Sequence, residues 1–443
     1  MSARVAKGCR ALQQAGLYLL LFMLPASPAA VEITFFLLLF GWISERLALG
    51  WAGSMPDPGQ RRTAASVVRA GWRSSIWASQ RQQASLLMVL LYVGLCGLTI
   101  FWSCSPEHSV NGWVGKTLEY ALFLIMVPDV IRNPVVVRRA LAILMISACV
   151  VGLDAVAQEW MGRDPLRGYK LSIYRRMTGP YSNPGDLACY LMVVLPLVLT
   201  SACRLRGWGR SALVGLSLLL LGCLVRAECQ GAWLGFVVAL AVLAALIPSW
   251  RAPMVITGLV FLAAGGWWLQ REGRLSSIVR LSDIGTRDRL VVWQAAWRMI
   301  QDRPVLGHGL NTFMARYLDY WVGGERQPRY AHNCYLQVAA ETGLIGLGLF
   351  LGLLAALFRR LLDGIRAAPP DTTFIAAGVM AGLAAFALQA SLDTNFYSLR
   401  QAALFWVLMG LALGISEPSV ALPPAQQTPS ALLVPVLSPE NAA

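Results

Sequence analysis

Three histidines occur in the 443 residues, His108, His308 and His332, and His332 alone stands where an apolar helix begins, in Ala331-His332-Asn333-Cys334-Tyr335-Leu336. An imidazole there can take a proton from a hydroxyl near pH 7. A hydroxyl activated in this way attacks an electrophilic centre, and an anionic leaving group must then be held by cations. The chain is rich in them, with 37 Lys and Arg against 23 Asp and Glu and a formal charge of +14. Guanidinium forks match phosphate oxygens two at a time. The nine cysteines are spread singly with no C-x-x-C pair, and no Asp-x-Asp pair is present, so the sequence signals neither a metal centre nor a disulfide framework. No cofactor is expected.

These groups must be positioned by elements that live in lipid. Hydrophobic residues make up 57% of the chain and charged residues 14%, where soluble domains carry roughly 45–50% and 25%. A soluble cytosolic enzyme is thereby excluded. Apolar runs of about 20 residues, the length that crosses a hydrocarbon core as helix, recur between charged or Pro/Gly-rich breaks. They predict an all-α polytopic membrane protein of about twelve spans, near 13–30, 31–49, 84–103, 112–131, 140–160, 182–203, 211–225, 231–249, 252–270, 333–358, 372–392 and 398–416. The expected organisation is spans 1–9 over 1–270, a long helical outer loop over 271–332, spans 10–12 over 333–416, and a disordered tail over 417–443, whose scattered Ser, Pro and Gln offer no periodic face. The basic N-terminus before Leu17–Leu24 resembles a signal peptide, but a retained first helix is the preferred reading, with both termini cytoplasmic.

Charge sets the orientation. With a cytoplasmic N-terminus, 19 of the basic residues fall in inner segments and 18 in outer ones, against the usual cytoplasmic bias of Lys and Arg. The outer excess is concentrated, however. Five residues lie between Met161 and Tyr181, ten between Arg271 and Asn333, and only Lys116, Arg226 and Arg400 lie elsewhere. Topogenesis selects against arginine in two such loops unless something offsets it, and an anionic ligand at the outer face, a lipid-linked diphosphate, would do so. Nucleic acid is not an expected partner.

Within the long outer segment Thr286 can cap a helix carrying Asp288 in its first turn, with Leu290, Trp293, Trp297 and Ile300 on one face and Arg287, Arg289 and Arg298 elsewhere. Such a helix would lie along the membrane interface. Gly348-x-x-x-Gly352 reads as close helix packing.

Four stretches in this order and topology resemble the O-antigen ligase family, which shares its architecture with O-antigen polymerases and bacterial protein O-oligosaccharyltransferases. They are Arg176-Met-Thr-Gly179-Pro-Tyr181-Ser-Asn183-Pro184; Gln230-Gly231-Ala232-Trp233-Leu234-Gly235; Arg287-Asp-Arg289 through Asp302-Arg303-Pro304 to Gly307-His-Gly309; and His332-Asn333-x-Tyr335-Leu336 with Glu341-x-Gly343-Leu-Ile-Gly346. One departure stands out: the family usually has Ser-Arg before the glycine where this chain has Cys229-Gln230, and Arg226, one turn earlier, is the expected substitute.

The resemblance implies a glycosyltransferase of the bacterial inner membrane with its site facing the periplasm. It would move a glycan from undecaprenyl diphosphate to a sugar hydroxyl of lipid A-core, without metal and with inversion. His332 would be the general base; Arg175, Arg176, Arg226, Arg287 and Arg289 would hold the diphosphate; Tyr181, Asn183, Asn333 and Tyr335 would position substrate. Glu341 and Asp393 are candidates to orient His332 and rank below it. The alternatives are an O-antigen polymerase or a protein O-glycosylating enzyme using the same donor and, from another class, a transporter of a lipid-linked glycan.

Overall fold

In a computed structural model, which describes residues 2–53, 63–172, 175–273, 276, 284–323 and 330–417, ten of the twelve expected spans coincide with apolar helices, while 13–30 is broken by a turn at 24–27 and 112–131 by a widened helical turn at 113–118. Among the described residues the extended pairing is confined to one isolated bridge, Arg163 with Lys170. The helices run in the order α1 (Ser2–Met23), α2 (Pro28–Gly53), α3 (Ala64–Trp72), α4 (Gln80–Leu98), α5 (Pro106–Gly112), α6 (Glu119–Val130), α7 (Pro134–Met161) and α8 (Pro184–Arg204). They continue as α9 (Gly207–Arg226), α10 (Gln230–Leu246), α11 (Arg251–Arg271), α12 (Ile284–Asp302), the single turn α13 (Phe313–Arg316), α14 (Cys334–Ala367), α15 (Pro370–Gln389) and α16 (Leu399–Ile415). Eight are long and apolar enough to cross a membrane, and α10 and α16 are shorter apolar helices. The protein is an all-α polytopic membrane protein. The expected tail lies, after Glu417, outside the described residues.

Asparagine decides where three of these helices start. Asn133 accepts from the Val135 amide, Asn183 from the Gly185 amide, and Asn333 from the amides of Tyr335 and Leu336. Pro134 and Pro184 then occupy a first-turn position where no N–H is missed. Burial sorts the helices by layer. The apolar stretch of α8 is 83% buried, whereas those of α9 and α11 are 28% buried and turn the rest outward, so α8, with the almost wholly buried α16 and with α15, forms the centre. At the end opposite His332, Asp129 pairs with Arg46 at 2.8 Å and with Arg132, and accepts from Trp42, Ser75 and the Ile76 amide. That cluster fastens α2 and the 73–78 turn to α6.

The long outer loop is stitched into a break in α14. Gly343 has φ 70° and ψ −178° inside that helix, a backbone geometry open to glycine and costly to other residues. The break frees backbone groups that the loop takes up: Leu344 N–H donates to Pro304 O at 2.8 Å, His308 N–H to Ala340 O at 3.1 Å, and Gly309 N–H to Glu341 O at 2.8 Å. A methyl on Gly343 would come within 2.0 Å of Val305 O, and one on Gly307 within 2.4 Å of Glu341 O. The motifs Asp302-Arg-Pro-Val-Leu-Gly307-His-Gly309 and Glu341-Thr-Gly343 are therefore two halves of one joint.

Helix α12 differs from expectation in its start. It starts at Ile284, so Thr286 lies within its first turn. The residues it buries are Val292, Ala295, Ala296, Met299 and Ile300, packed near Phe313, Tyr317, Ala339 and Ala340, while Leu290 and Trp297 stay exposed. Ala295 and Ala296 on the protein-facing stripe allow close approach to α14, and Trp293 and Ile300 border it.

Candidate active site

Three helix starts converge on the short turn between α15 and α16. Cys334, at the start of α14, donates its N–H to Ala390 O at 2.7 Å and its thiol to Asp393 O at 3.2 Å. Gly185, in the first turn of α8, has so little room beside it that an added methyl would lie 3.2 Å from Asn183 Oδ1 and 3.3 Å from Asp393 Oδ2. Gly231, in the first turn of α10, would meet Leu392 at 3.5 Å. The positive dipole ends of three helices thus face one small region, an arrangement that favours an anion.

His332 enters this region from the α14 side. Its φ of 47°, unusual for a residue with a Cβ, swings the side chain away from the helix that Asn333 caps. The ring is part-exposed, and Nδ1 lies 3.2 Å from Asp393 Oδ1. Asp393 also accepts from the Thr394 amide at 2.9 Å. Burial alone would raise the Asp393 carboxyl, but the hydrogen bond and charge of His332, the Thr394 amide and the Arg289 guanidinium together hold it below its ordinary value of 3.8. Asp393 remains a carboxylate that can fix the imidazole through Nδ1 and leave Nε2 for a substrate proton.

The arginines divide by what holds them. Arg289, on α12, acts electrostatically on both Asp393 and Cys229, and Arg176 acts on Cys229 while donating Nε–H to Ala227 O at 3.0 Å. These two stand beside the helix starts of α10 and α14. Arg287 is exposed on α12, and Arg175, with φ 56°, is exposed at the loop end. Arg226 is committed elsewhere: it pairs with Glu159, lies 3.5 Å from Glu228 Oε1, and stacks 4.2 Å over Trp268. Its guanidinium holds α9 to Glu159, Glu228 and Trp268.

The residues expected to position substrate use their side chains on the protein itself. Asn183 and Asn333 cap helices, and Tyr335 O–H donates to Ala387 O at 2.6 Å, tying α14 to α15. Tyr181 is fully buried beneath Arg400, whose guanidinium lies 4.2 Å over its ring and donates to the carbonyls of Pro25 and Pro180. Of the two acidic candidates, Asp393 meets His332. Glu341 instead accepts from the amides of Asn311 and Phe313, from Gln337 and from Tyr397, which anchors the outer loop. The sequence signal for Asp393, an acidic residue in a short outer turn between two apolar helices, is real but no stronger than that for Glu341.

The remaining histidines sit apart. His108 Nδ1 is 2.7 Å from Ser105 Oγ, and His308 is fully buried with Nε2 3.1 Å from Met299 O. Burial lowers the His308 imidazole below 6.5, and Arg303 and Arg316 lower it further, against the opposing effects of Met299 O and Asp302. His332 is the histidine whose part-exposed ring pairs with a carboxylate at the turn where the three helix starts meet.

Residues 215–351, which include α10, α12, the loop joint and the start of α14, match the family model described as O-Antigen ligase. The chain is also 22% identical over 292 residues to the exopolysaccharide production protein ExoQ of Rhizobium meliloti (strain 1021), covering 62% of this chain. It spans 65% of the length of that relative. Over these residues the chain is similar to the O-antigen ligase family, and more distantly to a protein of exopolysaccharide production.

Proposed function

We propose that the protein is a glycosyltransferase that moves a glycan from undecaprenyl diphosphate to an acceptor hydroxyl at the periplasmic face of the bacterial inner membrane. The observation that carries this reading is the His332–Asp393 pair, 3.2 Å apart, at the meeting point of three helix starts within the electrostatic reach of Arg289. Asp393 holds the imidazole by Nδ1, and Nε2 takes the acceptor proton as the hydroxyl attacks the anomeric carbon. The bond from that carbon to the diphosphate oxygen breaks, and the diphosphate leaves with its electron pair. Arg289 and Arg176, joined by the exposed Arg287 and Arg175, neutralise it beside the positive ends of the three helices. Attack opposite the leaving group inverts the centre, and arginine serves where other lipid-donor transferases use a metal.

In the ligase reading the acceptor is lipid A-core. The likeness to a protein named for exopolysaccharide production supports a second reading, in which the acceptor is another lipid-linked glycan and the product is a longer polymer. The test is transfer by purified protein from a lipid-linked glycan to each acceptor. His332→Ala should abolish transfer at unchanged melting temperature, and Arg289→Ala should raise the donor KM. Full activity in His332→Ala would remove the base assignment. In cells lacking the protein, lipid-linked polymer without mature lipopolysaccharide supports the ligase, and absence of polymer supports polymerisation.

A further inference from the structure

Three outer basic residues fall outside the two arginine-rich loops, and two of them are occupied. Arg226 pairs with Glu159 and Glu228, and Arg400 is held by the carbonyls of Pro25 and Pro180. The third, Lys116, lies in the widened helical turn between α5 and α6. Its ammonium donates to Asn311 Oδ1 at 2.9 Å and stands 5.7 Å from the centre of the Tyr397 ring, with no carboxylate oxygen within 4.0 Å among the described residues. Glu341 is the carboxylate that acts on it from farther away, and that group already accepts from four donors. An ammonium offers three N–H groups, of which Asn311 takes one.

Lys116 lines a narrow cleft of about 70 Å3 bounded by α4, α6, α14 and α16. The walls are apolar and largely aromatic, with Tyr92, Tyr120, Phe350, Phe396 and Trp406 among them, and Lys116, Thr117 and Asn311 supply polar groups. A part-buried cation on an otherwise apolar cleft between membrane helices matches one kind of molecule, a hydrocarbon chain ending in a phosphate. The cleft is also next to the site. Tyr397, which lines it, is four residues from Asp393 and packs 6.4 Å, ring to ring, from Tyr330, two residues before His332. A glycan borne on that phosphate would have only a short way to reach the imidazole.

We propose that this cleft holds the polyisoprenoid chain of the acceptor, with Lys116 neutralising its phosphate, as a second lipid site distinct from the arginine cluster that receives the donor. The inference rests on the transferase reading and chooses between its two acceptors. A cleft this narrow, about 70 Å3, admits one chain by the units next to its phosphate and not several side by side, so the acceptor is a lipid-linked glycan and not a multiply acylated lipid.

The test counts bound lipid by native mass spectrometry of the purified protein, with a sugar-free polyprenyl monophosphate as probe. Wild type should bind two molecules. The double variant Arg176→Ala/Arg289→Ala should keep the one in the cleft, and Leu124→Trp, which fills the cleft, should keep the other. In the arginine double variant, adding Lys116→Gln should weaken the remaining site about tenfold without altering affinity for the matching polyprenol, which lacks phosphate. Two molecules bound to Leu124→Trp, unchanged affinity on adding Lys116→Gln, or displacement of the cleft-bound probe by lipid A would each overturn the assignment. None of these counts depends on catalysis. If His332→Ala retained transfer, the base assignment would fail while the lipid stoichiometry stood or fell separately.

Discussion

Replacing Gly343 by alanine should undock the outer loop from α14. Two costs add. At φ 70° and ψ −178° a residue with a Cβ is strained by about 1–3 kcal/mol. The new methyl would lie 2.0 Å from Val305 O and 2.3 Å from Val305 C, backbone atoms that move only if the 304–309 segment moves. That movement removes the bonds from Leu344 N–H to Pro304 O, His308 N–H to Ala340 O and Gly309 N–H to Glu341 O, each contributing about 1 kcal/mol. The sum is about 4–6 kcal/mol, larger than most single substitutions. In hydrogen exchange read by mass spectrometry, about 4 kcal/mol of local stability corresponds to roughly a thousandfold faster exchange of the amides of His308, Gly309 and Leu344. Transfer should fall with it, since the first turns of α14 hold His332. Wild-type protection of those three amides in Gly343→Ala would refute the joint.

Other outcomes follow from the same geometry. Asp393→Asn should lower kcat about 10²–10⁴-fold with the donor KM little changed, and wild-type kcat in that variant would deny Asp393 any hold on His332. Arg226→Gln should lower the melting temperature, costing about 1–3 kcal/mol as Glu159 and Glu228 lose their partner, at unchanged donor KM; a raised donor KM would return Arg226 to the phosphate site. For His308 the folded-state imidazole lies below the ordinary 6.5, so the unfolded chain binds the proton more readily. The loop's stability is then complete above that value and declines as pH falls below it. Melting temperatures between about pH 7.5 and about pH 5 should drop less in His308→Gln than in wild type, and equal slopes would exclude His308 as the source.

The helical bundle was legible because lipid imposes a length and a composition on every crossing element, and Asn-Pro at 133–134 and 183–184 marks starts in plain view. His332 was legible for the same local reason, a polar residue beside a cap. What one chain of letters does not carry is partnership across distance. Arg226 reads as an available guanidinium, yet Glu159, 67 residues away, takes it. Glu341 and Asp393 read alike, and only packing sends one to Asn311, Phe313 and Tyr397 and the other to His332. Which residues of α12 meet α14 was not legible, since Ala295 and Ala296 carry no periodic signal of their own. Gly307, Gly309 and Gly343 stand out in sequence as small residues, but the joint they form requires both segments at once.

The most direct measurement is the position of bound undecaprenyl diphosphate in an experimental structure of the wild-type protein. The diphosphate is predicted within hydrogen-bond distance, about 3 Å, of Arg289 and Arg176 at the helix starts of α10 and α14, with the sugar-bearing side turned to His332 Nε2. Diphosphate seated instead on Arg226, or on Arg303 and Arg316 beside the buried His308, out of reach of His332, would contradict the assignment of base and leaving-group site together.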